Sequence, residues 1–168
     1  VTNTMSLIPQ IVDATILPVV AAGGIADGRG MAAAFCLGAS AVQVGTRFIV
    51  ANECTASDNY KDKVLKAKDT STMITGNSTG HPVRVLKNKF AKQLKKMEDE
   101  NLPPEEFERL GAGALKKAVV DGDVDNGSVM AGQIAGLVSE RQSAKEIILD
   151  IVCGCEKIIG KMTDEFSG

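Results

Sequence analysis

Two glycine-containing turns are the parts of this 168-residue chain best suited to chemistry. Gly23 and Gly24 end one apolar segment, and Gly45 with Thr46 ends the next. A glycine has no Cβ, so the backbone N–H groups of such a turn can approach a phosphate closely and positive φ becomes accessible. The Thr46 hydroxyl would add one donor. The same glycines could instead only close tight corners between strands and helices, and their spacing alone leaves both interpretations open.

The elements that must position these turns form a strand, a helix and a second strand. Residues 17–22 are a continuous apolar run, which is typical of a strand buried on both faces of a parallel sheet. Asp27 predicts the N-cap of a helix over residues 29–37 that ends at Gly38. A second strand is expected over residues 40–45. This pattern predicts an α/β fold with both turns at the carboxyl ends of consecutive parallel strands.

The rest of the chain is predicted to be mainly helical. The expected elements are helices over residues 3–14, 59–68, 82–100, 129–138 and 143–162, a helix that follows the turn at Pro103 and Pro104 and reaches about Val120, and one strand over residues 70–75. Ser143 and Glu146 form a capping-box pattern that would begin the last helix. We therefore divide the chain into residues 1–80, which hold the strand, turn and helix units, and residues 81–168, a helical C-terminal region.

Composition and charge argue against several kinds of partner. The formal net charge is -2 and Lys and Arg are spread along the chain, so no positive surface for nucleic acid is expected. No run of about 18 apolar residues is present, which excludes a membrane span, and no basic and apolar leader is recognisable. We expect a cytoplasmic protein. Four cysteines lack the spacing of a disulfide framework or a zinc site, so reduced thiols and no bound metal are expected.

One histidine and two basic residues form a secondary group of candidates. His81 is the only histidine in the chain and precedes Pro82, at the expected start of the helix over residues 82–100. We favour a structural role for it over acid–base chemistry. Arg84 and Lys87, on the same predicted helix, could meet a phosphate of a nicotinamide cofactor or of a carrier-protein arm, or could form a solvated basic face.

Residues 21–48 (AAGGIADGRGMAAAFCLGASAVQVGTRF) carry a resemblance to a known family. They resemble the phosphate-binding segment of FMN-dependent barrels of the nitronate monooxygenase and enoyl-acyl-carrier-protein reductase II superfamily. The likeness continues through four later segments, at residues 59–67, 80–88, 111–118 and 122–138, and so covers nearly the whole chain. The resemblance implies the C-terminal part of a (β/α)8 TIM barrel followed by a helical segment.

The resemblance also implies roles for particular residues. Those expected to contact the FMN phosphate and ribityl chain are Gly23, Gly24, Gln43, Val44, Gly45 and Thr46. Gly132 and Gln133 would lie on the flavin or substrate side, although Gln133 could instead only pack a helix. The family's catalytic histidine is expected upstream of Val1, with the N-terminal half of the barrel, so no catalytic residue is assigned here. These residues alone are expected to be inactive, and to be ordered only beside that half, in the same or another chain.

The activity that the resemblance implies is an NADH-using, FMN-dependent enoyl reductase. It would reduce trans-2-enoyl thioesters of acyl carrier protein in bacterial fatty-acid synthesis, and the last two similar segments favour this branch. The intact enzyme is expected to be a homodimer, and a requirement for a monovalent cation stays open. One alternative is a nitronate monooxygenase, which uses FMN with oxygen as the acceptor. Another is a non-catalytic phosphate-binding module of a barrel enzyme.

Overall fold

Residues 3–166 are described by the structure, a computed structural model, and their contacts divide them into two units. The first unit comprises the residues up to Glu53 together with those from Arg141 onward. The second unit is Cys54–Glu140. No helix among the described residues is long and apolar enough to cross a membrane.

A parallel strand pair with a helical connection forms the centre of the first unit. Strand β1 (Val20–Ala22) pairs with strand β2 (Ala41–Gln43), and helix α2 (Gly28–Cys36) connects them. The Asp27 carboxylate accepts hydrogen bonds from the first backbone N–H groups of α2, the nearer at 2.9 Å. The Arg29 side chain also donates to this carboxylate and, with those N–H groups, lowers the pKa of Asp27. The predicted strand, capped helix and strand are therefore confirmed, but burial of β1 on both faces is not, because Val20 and Ala22 are exposed in the part of the chain that the structure describes.

Three further helices complete the first unit: α1 (Thr4–Ala14), α3 (Thr46–Ile49) and α8 (Ala144–Phe166). Helix α1 begins at Asn3, whose side chain accepts a hydrogen bond from a backbone N–H one turn on. A small apolar core lies between α1, α2 and the strands. Its buried members are Ile8, Ala21, Ile25, Ala34 and Ala39.

Helix α8 packs closely against α2, and its start follows the predicted capping box. A Cβ on Gly28 would lie 2.4 Å from backbone atoms of Gly154 and Cys155, so only glycine permits this approach. At the start of α8, Ser143 Oγ accepts from the Glu146 N–H at 3.2 Å, and the Glu146 carboxylate accepts from the Ser143 N–H at 2.7 Å. The two backbone N–H bonds confirm the capping box, and the Ser143 N–H and hydroxyl, which both donate to the Glu146 carboxylate, lower the pKa of Glu146.

The second unit combines a β-hairpin with short helices. Its strands, β3 (Thr72–Thr75) and β4 (Val83–Leu86), pair antiparallel. Its helices are α4 (Asp58–Leu65), α5 (Lys89–Asp99), α6 (Pro104–Gly111), α7 (Ala114–Val119) and a 3-10 helix (Gln133–Leu137). Helix α4 confirms the helix expected over residues 59–68. The buried apolar side chains of this unit include Tyr60, Val64, Val85, Phe90 and Val129.

The single helix predicted over residues 82–100 is wrong. Its first part is strand β4, because Val83 and Val85 are β-branched residues that pair with β3 and bury one side of the hairpin. The helix begins only after Asn88, whose buried side chain accepts from the Ala91 N–H at 2.8 Å and caps α5. Asn88 Nδ2 also donates to two backbone carbonyls, which fixes the helix start in the core of the unit.

The helix predicted over residues 129–138 is wrong in its first half. Val129 and Met130 pair with β4 instead: the Val129 carbonyl accepts from the Leu86 N–H at 2.8 Å, and Met130 forms a bridge with Val85. Only the short 3-10 helix follows. The region from residue 81 onward therefore contains a strand and extended backbone as well as helices, and the division placed at residue 80 falls in the loop that joins β3 to β4.

Candidate functional site

The two glycine turns begin side by side at one edge of the parallel pair. Ala22 and Gln43, the last residues of β1 and β2, are Cα partners, so the chain leaves both strands at the same point. Gly23 and Gly24 have φ of +92° and +79°, a conformation that side chains rarely adopt. The Thr4 hydroxyl, at the start of α1, donates to the Gly23 carbonyl at 2.8 Å and holds this turn in place.

Gly45 differs from the first pair because nothing in the described fold requires a glycine there. Its φ of -112° is accessible to any residue, and an added Cβ would meet no atom within 4 Å. At Gly23, by contrast, the positive φ disfavours any side chain, although an added Cβ would only be in ordinary contact with Thr4 Oγ1 at 3.5 Å. A ligand that approaches the backbone closely would account for a glycine at position 45, since a Cβ would occupy the space of that ligand.

The flanking residues differ in exposure. Gln43 and Gly45 are exposed and Val44 is half-buried, whereas Thr46, the first residue of α3, is only 8% exposed. Among these residues the exposed backbone of the turns therefore offers the most accessible contacts. The predicted cofactor contacts of all six turn residues remain predictions.

A third feature of this region, which the sequence analysis missed, is Arg47. Its side chain is only 13% exposed and donates three hydrogen bonds: to the Ala26 carbonyl at 2.8 Å, to Gln142 Oε1 at 2.8 Å and to Asp150 Oδ2 at 2.5 Å. Ala26 lies two residues after Gly24. The guanidinium thus joins the loop after β1 to the helix after β2, a long-range contact that a local pattern does not reveal.

Gly132 and Gln133 lie in the second unit, in a segment with several anchors. The Met130 carbonyl accepts from the Tyr60 hydroxyl at 2.7 Å, and the Ala131 N–H donates to the Arg84 carbonyl at 3.3 Å. Burial raises the pKa of Tyr60 to about 12, so this hydroxyl keeps its proton at ordinary pH. Gln133 is exposed at the start of the 3-10 helix. Its predicted contact on the flavin or substrate side remains a prediction.

The secondary candidates do not belong to one helix, although the sequence predicted Arg84 and Lys87 on a single helix with His81 at its start. His81 is exposed in the loop between β3 and β4, where its backbone N–H donates to the Gly76 carbonyl at 3.1 Å. Arg84 lies in β4 and donates to Thr72 Oγ1 at 2.9 Å. Lys87, beyond β4, borders a cavity of about 620 Å³ between α4 and the hairpin. The predicted grouping is wrong because these residues belong to a strand and its ends.

Metal-ligating side chains do not gather anywhere in residues 3–166. No group of three or more His, Cys, Asp or Glu residues in that part of the chain could hold a metal ion. The four cysteines, Cys36, Cys54, Cys153 and Cys155, are free thiols. Burial raises the pKa of the Cys155 thiol, which keeps it protonated and unreactive.

The fold matches two kinds of solved enzyme. FabK from Thermotoga maritima superposes with a TM-score of 0.93 and 45% identity, over 98% of this chain and 52% of FabK. A nitroalkane oxidase from Streptomyces ansochromogenes superposes with a TM-score of 0.78 and 26% identity, over 95% of this chain and 45% of that enzyme. The chain thus has the α/β fold of a class of oxidoreductases.

The particular family follows from the sequence comparison. The model of the nitronate monooxygenase family matches residues 1–154, and the chain belongs to this family. A probable nitronate monooxygenase from Staphylococcus saprophyticus is 38% identical over 160 residues, which are 95% of this chain and 44% of that protein. The resemblance inferred from residues 21–48 is therefore confirmed. The chain spans about half the length of the relatives it matches.

Proposed function

We propose that the two glycine turns bind the phosphate of FMN in a flavin-dependent oxidoreductase. The observation that carries this proposal is the shared start of the turns at Ala22 and Gln43, combined with the open space beside Gly45. A phosphate needs several converging donors and close backbone approach, and glycine turns at the carboxyl ends of parallel strands supply both.

The residues present fit such a group. Gly23, Gly24 and Gly45 would hold the phosphate through backbone N–H groups, because no Cβ stands between these turns and solvent. Gln43 and Val44 would face the ribityl chain, and Thr46 would support the second turn from its buried position. The role of the first unit is then to anchor and orient the cofactor.

We further propose that the strand pair belongs to a (β/α)8 barrel. Among the described residues, β1 and β2 pair only with each other, so each has an open edge that further strands could extend. Val20 is 55% exposed although it lies in a strand of apolar residues, and further strands and helices would bury it. The catalytic histidine and the remaining flavin contacts would come from that part of the barrel.

The reaction that we propose is enoyl-thioester reduction with NADH. The higher similarity to FabK than to the nitroalkane oxidase, 45% against 26% identity, favours this branch. A bound flavin would supply hydride transfer from a reduced nicotinamide to the β-carbon of a trans-2-enoyl thioester of acyl carrier protein, with a proton delivered to the α-carbon. Gln133, exposed beside the anchored Met130 segment, would form a hydrogen bond on the flavin or substrate side.

A second candidate is oxidation of alkyl nitronates with oxygen as the acceptor. The family match and the probable nitronate monooxygenase from Staphylococcus saprophyticus favour it. Both candidates use the same phosphate turns, so the choice between them depends on the electron donor and acceptor.

The test uses the protein produced from its complete reading frame. Purified protein should carry FMN, visible in its absorbance spectrum. Anaerobic stopped-flow mixing with NADH should bleach the flavin, and a crotonyl thioester should then restore its colour. If NADH leaves the flavin oxidised while alkyl nitronates are turned over, the reductase proposal is wrong and the second candidate holds. If the protein neither carries nor takes up FMN, the phosphate-site proposal is wrong.

A further inference from the structure

Arg47 connects the two turns to each other and to helix α8. It lies two residues after Gly45, and its Nη1 donates to the carbonyl of Ala26, two residues after Gly24, at 2.8 Å. Its Nη2 donates to Gln142 Oε1 at 2.8 Å and to Asp150 Oδ2 at 2.5 Å. One nearly buried side chain thus spans both turns and α8.

The geometry of the guanidinium suits this linking role. Arginine presents its donors in a rigid planar fork, so partners in three different segments are held at fixed angles to one another. The partners are themselves fixed: the Gln142 carbonyl accepts from the Asn52 N–H at 2.9 Å, and Asp150 lies within α8. Ala26 is 3% exposed, in the core of the loop after β1.

We propose that Arg47 is a positioning residue that holds the two glycine turns at the separation needed to bind one phosphate. This inference rests on the proposed FMN site. Arg47 lies two residues after Gly45, and its acceptor Ala26 lies two residues after Gly24, so a shift of the guanidinium would change the spacing of the two turns. The three hydrogen bonds that Arg47 donates in this structure all go to protein acceptors, and we assign its effect on the phosphate to the turns.

The proposal predicts a loss of affinity that depends on the phosphate. FMN and riboflavin differ only in that group, so a change in the spacing of the turns should weaken FMN binding and leave riboflavin binding unaltered. We expect Arg47→Lys and Arg47→Met to weaken FMN binding about tenfold or more, because small errors in positioning have large effects at such sites. Lysine keeps the charge but has no fork to span three partners.

The experiment titrates the deflavinated protein, produced from its complete reading frame, with FMN and with riboflavin. Arg29→Lys is the matched control, because Arg29 is exposed and pairs with Asp27 near the same loop. This control should keep wild-type affinity for both ligands. Equal affinities of wild type and both Arg47 variants for FMN would overturn the proposal. A loss of riboflavin affinity as large as the loss of FMN affinity would also overturn it, because it would indicate general destabilisation.

Two milder variants keep the test decisive if the Arg47 variants do not fold. Asp150→Asn and Gln142→Ala each weaken one partner of the guanidinium and leave the arginine in place. Each should lower FMN affinity by a smaller factor without changing riboflavin affinity, with circular dichroism confirming the fold. Unchanged FMN binding in both variants would refute the proposal. A wild-type protein that binds riboflavin as tightly as FMN would instead refute the proposed phosphate site.

Discussion

Substitution of Gly45 separates binding of the cofactor from stability of the fold. An alanine Cβ at this position would meet no atom within 4 Å, and the φ of -112° is accessible to alanine. The free energy of unfolding of Gly45→Ala should therefore stay within about 0.5 kcal/mol of wild type, as for surface substitutions in general. If a phosphate occupies the open space, the same methyl group must displace it.

The expected loss of affinity follows from the contacts that the methyl group would break. A hydrogen bond to a charged group contributes about 1.5–3 kcal/mol, so the loss of one such bond should weaken FMN binding about 10- to 150-fold. Titration of the deflavinated protein with FMN measures this change, and urea unfolding without ligand measures stability. Gly111→Ala is the matched control, since its Cβ would also meet nothing within 4 Å.

The comparison of Gly45→Ala with Gly111→Ala decides whether a phosphate occupies the open space beside Gly45. Wild-type FMN affinity in Gly45→Ala would refute the assignment of the open space to the phosphate. Gly23 would be a poorer test, because its φ of +92° makes any side chain strained, by about 1–2 kcal/mol, and binding and folding would then change together.

Three further predictions concern stability. Gly28→Ala places a Cβ 2.4 Å from the backbone of α8 and should lower the free energy of unfolding by about 1–3 kcal/mol in urea titrations; no loss would contradict the close packing of α2 and α8. Tyr60→Phe leaves the Met130 carbonyl without its buried donor and should cost about 1–3 kcal/mol by the same measurement, whereas an unchanged midpoint would argue against this bond. A hydrogen bond from Asn126 lowers the pKa of Asp123 to about 2 from 3.8, so the stabilisation by this carboxylate should be complete above pH 3.8 and be lost as the pH falls towards 2. The stability difference between wild type and Asp123→Asn, followed by unfolding at each pH, should shrink over that interval, and a constant difference would refute this origin.

Local patterns were sufficient to predict the elements of the first unit except the short helix α3. Asp27 caps α2, Ser143 and Glu146 form the capping box of α8, and the apolar run before Gly23 contains strand β1. Each of these signals acts over a few residues, and no distant segment competes with it. The predicted strands were longer than the observed ones because the apolar run continues beyond the residues that pair, as at Leu17.

Distant pairing explains why the second unit was predicted less well. The apolar residues of β4, which are Val83, Val85 and Leu86, suit a helix or a strand in isolation. Only the partner strand β3 and the later residues Val129 and Met130 decide between the two. The buried Asn88 carried a usable signal, since asparagine is favoured at helix starts and marks the true beginning of α5.

The difference between local signals and long-range contacts also applies to the candidate site. Glycine pairs are visible in sequence, but their adjacency depends on the register of two strands, and Arg47 depends on partners 21, 95 and 103 residues away along the chain. A sequence pattern can thus propose which turns could hold a phosphate, whereas the residue that sets their spacing is found only from long-range contacts.

The two candidate reactions would share the proposed phosphate site, so the proposed tests of Gly45 and Arg47 address both reactions, whereas a test of Gln133 distinguishes them. Gly45 and Arg47 belong to the first unit, and variants there should weaken FMN binding whichever electron acceptor is used. Gln133 belongs to the second unit, on a segment anchored by Tyr60 and by the β4 backbone. If the first unit anchors the cofactor and the second unit selects the substrate, a change at Gln133 should alter turnover of the thioester or the nitronate. The affinity for FMN should then stay at the wild-type value.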